Sequence, residues 1–400
     1  MPLSRKYNQH TLQSTEQTPM SLKHFIVYIS GFAVMIFIIS LGFSYQQDKF
    51  SSLPSRYTAS IKTVVATSAQ KSDSSLSLEQ KVQQLFLWGF DGTTPLQAEQ
   101  FIEKYPLGGV MFLEKNIESI PQVQSLTHQL QVSSLQKSGL PLFISIDQEG
   151  GVVSRITFPG YEFTPQSEIT SLQQAYTVAK KRGEELHTLG INLNFSPVLD
   201  AITNTQSFLY SRTFIGTPQE ISERGTLFVK GYRDAGIQSC PKHFPGHGDA
   251  LNDPHLFNSI NNQSVEEIQK NAKSFVGVIS ENAACIMLGH TTYRNIDINP
   301  ASKSSAIITN WLRNSFHFNG IILTDDMEMV AAQNKQTLGE AALSSLQAGA
   351  DMVLISGYTT SREEREFAIA YVIEKITEGA IPSAELDEKI NRILEIKKGL

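Results

Sequence analysis

The fold class this sequence predicts is α/β, a single-domain (β/α)8 barrel of the TIM type. Three observations predict it: eight short continuous apolar runs, helical periodicity between them, and polar residues gathered where the runs end. The runs occupy residues 84–90, 108–112, 142–147, 192–198, 237–244, 285–290, 320–326 and 351–356. An apolar run without alternation suits a parallel strand covered on both faces. Eight such units over roughly 320 residues match a closed barrel better than an open doubly wound sheet. Residues 173–189 and 383–398 read as helices of the outer ring, with Ser383 a candidate N-cap for the second. The chain ends soon after that helix, so no second domain is expected.

Composition agrees with a globular domain: 400 residues, 40% hydrophobic and 18% charged. A net charge of −6 without a basic stripe gives no support to nucleic-acid binding. Two cysteines, Cys240 and Cys285, are too few for a disulfide framework. Both sit in apolar runs and read as buried thiols, with a single Cys240–Cys285 bridge as the lesser alternative.

The N-terminal region has its own organisation. Residues 1–24 form a short tail, and residues 25–45 (FIVYISGFAVMIFIISLGFSY) contain no charged side chain. A helix of that length rises about 30 Å, enough to cross a bilayer. It is longer than the usual signal-peptide core and lacks a clear small-x-small cleavage site, so an uncleaved anchor is preferred to a cleaved signal. Arg5, Lys6 and Lys23 precede it, which places the tail in the cytoplasm and all that follows in the periplasm or outside the cell. Residues 46–75, rich in Ser, Thr, Gln and Lys, read as a solvated spacer. Order is expected from residue 76, where Ser77-Leu78-Glu79-Gln80 fits a helix capping box.

The polar residues at the strand ends are Asp147, Asp200, Lys242, His243, His290, Asp325 and Asp326. In a barrel that end carries the active site, because the loops after the strands converge on one mouth. Three segments carry the chemistry. In Asp147-Gln-Glu-Gly-Gly-Val-Val-Ser-Arg155, a carboxylate can accept from sugar hydroxyls, an arginine can donate, and two glycines would allow backbone close to a ligand; a purely structural Asp–Arg pair is as common a reading. The stretch from Lys242 to His255 (KHFPGHGDALNDPH) begins on a strand and becomes a Gly/Pro-rich loop. His243 and His247 invite a metal reading, but Pro245 and Gly246 between them oppose the helix that would align them, and no metal is expected. Asp253 and His255 flank one residue, so in an extended segment they share a face and suit a proton shuttle. A surface Asp–His pair that only steadies the loop has the same spacing. The third segment, Ile-Ile-Leu-Thr-Asp325-Asp326-Met-Glu-Met, offers a strand-end carboxylate as nucleophile, unless both acids merely cap the next helix.

These segments, with SRTFIG and MLGHTTYRNIDINPAS, resemble the β-N-acetylhexosaminidases of glycoside hydrolase family 3 from about Leu76 to Leu400. KHFPGHG followed by Asp-x-His is the most specific of them. The resemblance implies retaining, cofactor-free hydrolysis of terminal β-linked N-acetylglucosamine from peptidoglycan fragments or chitin-type oligosaccharides. It implies Asp325 as nucleophile, His255 as general acid/base and Asp253 as the residue orienting it. Asp147, Arg155, Arg212, Lys242 and His243 are implied as sugar-binding residues. A neutral imidazole beside Asp325 avoids the repulsion a second carboxylate would bring. One departure is Pro254, where the family usually has serine between the aspartate and histidine; proline restrains Asp253 towards an extended backbone. The partners expected are the glycan, the membrane through residues 25–45, and no other subunit. Alternatives are a family 3 β-glucosidase or xylosidase, a phosphorylase of the same β-N-acetylglucosaminides and, in a different class, a membrane-tethered sugar-binding protein without activity.

Overall fold

The computed structural model describes residues 76–248, 259–333 and 335–400. The tail, the expected transmembrane segment and the spacer, residues 1–75, lie outside the described residues. Among those described, no helix is long and apolar enough to cross a membrane.

All eight predicted strands form. They are β1 (Phe86–Gly89), β2 (Gly109–Phe112), β3 (Phe143–Ile146), β4 (Leu193–Asn194), β5 (Gln238–Ser239), β6 (Cys285–Leu288), β7 (Ile321–Asp326) and β8 (Met352–Ile355). Their order around the sheet is β5-β4-β3-β2-β1-β8-β7-β6, every pairing parallel. The remaining seam, between β5 and β6, is drawn together by backbone bonds beyond the end of β5. Phe244 N–H donates to Met287 O at 2.8 Å, Met287 N–H to Pro241 O at 2.9 Å and Gly289 N–H to Phe244 O at 3.1 Å. The result is a nearly closed barrel. Strand side chains such as Val110, Ile144, Ile322 and Val353 are buried, as a sheet covered on both faces requires.

The helices begin as their sequences dictate. Ser77 and Gln80 make both hydrogen bonds of the expected capping box, and Thr94, Ser171, Thr217, Ser264, Thr337 and Ser361 cap later helices in the same way through their hydroxyls. The predicted helix 173–189 is observed as Leu172–Thr188. In the last helix, Ser383–Lys397, the expectation for Ser383 is corrected: Pro382 holds the cap position and Ser383 is already helical.

The cysteines also require correction. Cys240 and Cys285 are not separate thiols but a disulfide, with Cα atoms 4.4 Å apart. One follows β5 and the other opens β6, so barrel closure brings them side by side. Forty-five residues separate them in sequence, and only the closed topology reveals the pairing.

The bridge closes a 45-residue loop, so replacing both cysteines with serine should cost about 2–4 kcal/mol of stability. Denaturant unfolding of the two forms checks this. Thiol titration of the unreduced, denatured protein should find no reactive sulfur; two titratable thiols there would disprove the bond.

Candidate active site at the barrel mouth

The strand-end residues converge. Lys242, just past β5, is buried, and its Nζ lies 2.5 Å from Asp147 Oδ1 and 2.6 Å from Glu149 Oε1. Glu149 accepts a two-pronged pair from Arg212, with Nε at 2.9 Å and Nη2 at 2.8 Å. Burial alone would raise the Glu149 pKa. Arg212 and Lys242 overcome that penalty and hold it down to about 2. Burial likewise opposes the charge on Lys242, yet Asp147 and Glu149 keep its pKa above the usual lysine value. Glu149, Arg212 and Lys242 are therefore ionised at neutral pH and paired with one another, the arrangement a buried ion group needs.

Asp200 organises the second half of the mouth. Its side chain is wholly enclosed. One oxygen accepts His243 N–H at 3.1 Å and lies 2.8 Å from His243 Nδ1. The other accepts His247 N–H at 2.7 Å and lies 2.9 Å from His247 Nδ1. Burial would raise the Asp200 pKa, but the two histidines hold it well below the usual carboxylate range. His243 is turned so that its Nε2 lies 3.8 Å from Asp325 Oδ2. Burial, only partly offset by Asp200, lowers the pKa of this ring. Asp200, His243 and His247 have donor atoms within 4.8 Å of one another. The geometry between them is that of hydrogen bonds, each Nδ1 spent on a carboxylate oxygen.

The paired carboxylates of β7 divide as their adjacency suggests. Asp325 turns to the mouth, its side chain 17% exposed. Asp326 turns to the loop after β8, accepting Ser356 N–H at 3.1 Å and the Ser356 hydroxyl. Burial and the nearby Glu328 carboxylate push the Asp326 pKa up to about 7. Glu328 takes hold of the same loop, accepting Gly357 N–H at 2.8 Å and Thr359 N–H at 2.7 Å. His290 steadies the β7 backbone, with Nε2 3.1 Å from Asp326 O and Nδ1 2.7 Å from Ser302 Oγ. Burial lowers its pKa to about 4, so the ring is neutral at neutral pH. Beside it opens a cleft of about 410 Å³ lined by Ile260, Thr292, Arg294 and Ile298.

Arg155 meets Asp147 at 3.8 Å and pairs with Glu114, which in turn accepts the Tyr358 hydroxyl at 3.1 Å. Its Nε is buried without a hydrogen-bond partner among the described residues. The structure thus brings together Asp147, Arg155, Lys242, His243 and Asp325. Arg212 also arrives, but two of its donors are given to Glu149 rather than offered to a ligand. Asp253, Pro254 and His255 lie outside the described residues.

The glycines of the first segment are corrected too. Gly150 and Gly151 have φ values of +92° and +60°. A Cβ on Gly150 would meet Thr164 O at 2.3 Å, so these glycines serve a tight turn against the protein's own backbone rather than a ligand. The sequence assigns no role to Glu149, offers His247 only as a metal-ligand candidate that is then set aside, and marks Asp200 only as a strand-end acid. Glu149 had a signal: two cations, Lys242 and Arg212, need more counter-charge than Asp147 supplies.

A parallel barrel whose mouth carries carboxylates, a lysine and oriented histidines is the class of scaffold on which glycosidases are built. The profile described as "Glycosyl hydrolase family 3 N terminal domain" matches residues 77–396, and the chain belongs to this family. It is 33% identical over 284 residues to a protein named beta-hexosaminidase from Nitrosomonas eutropha, covering 68% of this chain and 80% of that one. It is 30% identical over 334 residues to beta-hexosaminidase A of Pseudoalteromonas piscicida, covering 77% of this chain and 56% of the relative. Among solved structures it is similar to a glycoside hydrolase family 3 beta-N-acetylglucosaminidase from Paenibacillus sp. str. FPU-7. That match has a TM-score of 0.77 and 32% identity, covering 81% of this chain and 62% of the other. The chain thus spans less than two thirds of the last two proteins.

Glu149→Gln leaves two buried cations facing a neutral amide and should cost about 3–5 kcal/mol in denaturant unfolding at pH 7. Because the folded pKa of Glu149 lies below its ordinary value, the stabilisation is present above that value. It is lost as pH falls from about 4.5 to about 2. That part of the stability-versus-pH curve should flatten in the variant.

Proposed function

We propose that the chain is a retaining exo-β-N-acetylglucosaminidase, acting on terminal β-linked N-acetylglucosamine of peptidoglycan fragments or chitin-type oligosaccharides. The observation that carries this reading is the convergence of Asp147, Lys242 and His243 beside Asp325, within a chain similar to named beta-hexosaminidases. Asp325 attacks the anomeric carbon from below, and His255, oriented by Asp253, donates its proton to the departing glycosidic oxygen. The glycosyl–Asp325 ester is then hydrolysed by water, which His255 deprotonates. Asp147 accepts sugar hydroxyls while Lys242 and Arg155 donate to them. Arg212 acts mainly by holding Glu149 through Nε and Nη2, and the two N–H groups of Nη1 and the second of Nη2 are left to face the sugar. The cleft beside His290 has room for the leaving group. None of these steps calls for a cofactor.

The same proposal extends to location. Residues 25–45 anchor the chain with the barrel outside the cytoplasm. The charge-free run and its basic flank support this, and so does the Cys240–Cys285 bond, since disulfides persist in oxidising compartments. A reporter fused after Leu400 should be active only outside; activity confined to the cytoplasm would sink the assignment.

Wild-type protein should cleave 4-nitrophenyl N-acetyl-β-glucosaminide and release the β-anomer first by NMR. Asp325→Asn should lower kcat at least about 1,000-fold. Release of the α-anomer first, or no cleavage by the folded wild type, would overturn the reading. His255→Ala should lose far more activity on substrates with poor leaving groups than on aryl glycosides; equal losses would remove His255 as general acid. Products that change to a sugar phosphate when phosphate is added would indicate a phosphorylase instead.

A further inference from the structure

Asp200 takes part in none of the reaction steps assigned above, yet two histidines of the mouth are bound to it. It is fully buried and takes four N–H groups: the backbone and Nδ1 of His243, and the backbone and Nδ1 of His247. An ionised carboxylate only accepts hydrogen bonds. Both histidines must therefore carry a proton on Nδ1, and in the neutral ring this leaves Nε2 as a bare acceptor. The Nε2 of His243 points at Asp325, 3.8 Å from Oδ2. The Nε2 of His247 is buried without a hydrogen-bond partner among the described residues. In the opposite tautomer His243 would present an N–H to Asp325. Donating to that oxygen would draw off electron density needed for attack at the anomeric carbon.

We propose that Asp200 is a positioning residue for the reaction, locking His243 and His247 in the Nδ1–H tautomer so that His243 offers the sugar an acceptor and withholds a donor from Asp325. A hydroxyl of the bound sugar then donates to His243 Nε2. Asp200 also pins the backbone of both histidines. His247 is held further by Asn261, whose amide donates to its carbonyl at 3.2 Å. The Tyr293 hydroxyl donates to Gly246 O at 2.6 Å. One carboxylate thus sets both the place and the protonation pattern of the pair. Among the described residues, the charged and titratable groups facing these rings are Asp200, Asp325 and each other, with Arg212 and Tyr293 close enough to influence Asp200.

The inference rests on the proposed glycosidase reading, but its first test does not. Long-range 1H–15N NMR of histidine-labelled full chain at pH 7.5, with His243→Gln and His247→Gln for assignment, should show both rings protonated at Nδ1 and bare at Nε2. An Nε2–H ring at His243 would overturn the proposal whether or not the protein cleaves anything. Asp200→Asn keeps the shape but offers one acceptor and one donor, so at least one ring should change tautomer. If that ring is His243, kcat on the aryl glycoside should fall at least about 100-fold. Unfolding midpoint and circular dichroism report that the variant is folded. A folded variant with a flipped His243 and undiminished kcat would also defeat the proposal. Absence of cleavage by the wild type would instead count against the glycosidase assignment and leave the ring states to decide the rest.

Discussion

The structure depends on how the barrel closes between β5 and β6. The ladder at that seam is short, and closure falls to the backbone of Pro241 and Phe244 bonding to β6. The same few residues carry Lys242 and His243. Phe244, fully buried, packs its ring against Phe275 at 5.2 Å and Phe316 at 5.6 Å in the helical layer. Barrel closure and site assembly are therefore one event: the segment cannot shift to relieve strain in one without disturbing the other. The Cys240–Cys285 bond lies at this seam, next to Pro241, and ties the end of β5 covalently to the start of β6.

Around that seam the protein solves a problem of buried charge. Lysine, arginine and carboxylates cost several kcal/mol each to remove from water unless they are paired. The mouth keeps them ionised by chaining them. Lys242 bridges Asp147 and Glu149, and Arg212 donates twice more to Glu149. Asp200 shares its charge between two histidines. Lys242, His243 and Arg155 are thus each oriented by a carboxylate that is given no contact with the sugar, Glu149, Asp200 and Glu114 respectively. Asp326 and Glu328 do the same for the loop after β8, while Asp325 alone of that trio turns to the mouth.

Much of this was legible in the sequence because it is local. The eight strands are continuous apolar runs, and the helix starts are Ser or Thr followed by Gln or Glu, as at Ser77 and Thr217. The polar residues of the mouth stand at the ends of the apolar runs, a position that the sequence alone displays. The rest depends on contacts between distant segments. The cysteine pair becomes adjacent only when β5 meets β6. Glu149 and Asp200 act on residues 63 and 43 positions away, at distances no periodicity records. Gly150 looked like a ligand-facing residue because its pattern is shared by tight turns, and the protein's own Thr164 occupies that space.

The chained ion group has a consequence for how substrate arrives. Lys242 and Arg212 have carboxylates within hydrogen-bond reach, and Arg155 pairs with Glu114 and lies near Asp147, so these three cations present little unpaired positive charge to the solvent. An uncharged sugar is not steered towards it, and a dissolved anion gains little by competing for its cations. Encounter is then governed by diffusion and shape. Capture of an uncharged sugar should therefore change little with ionic strength.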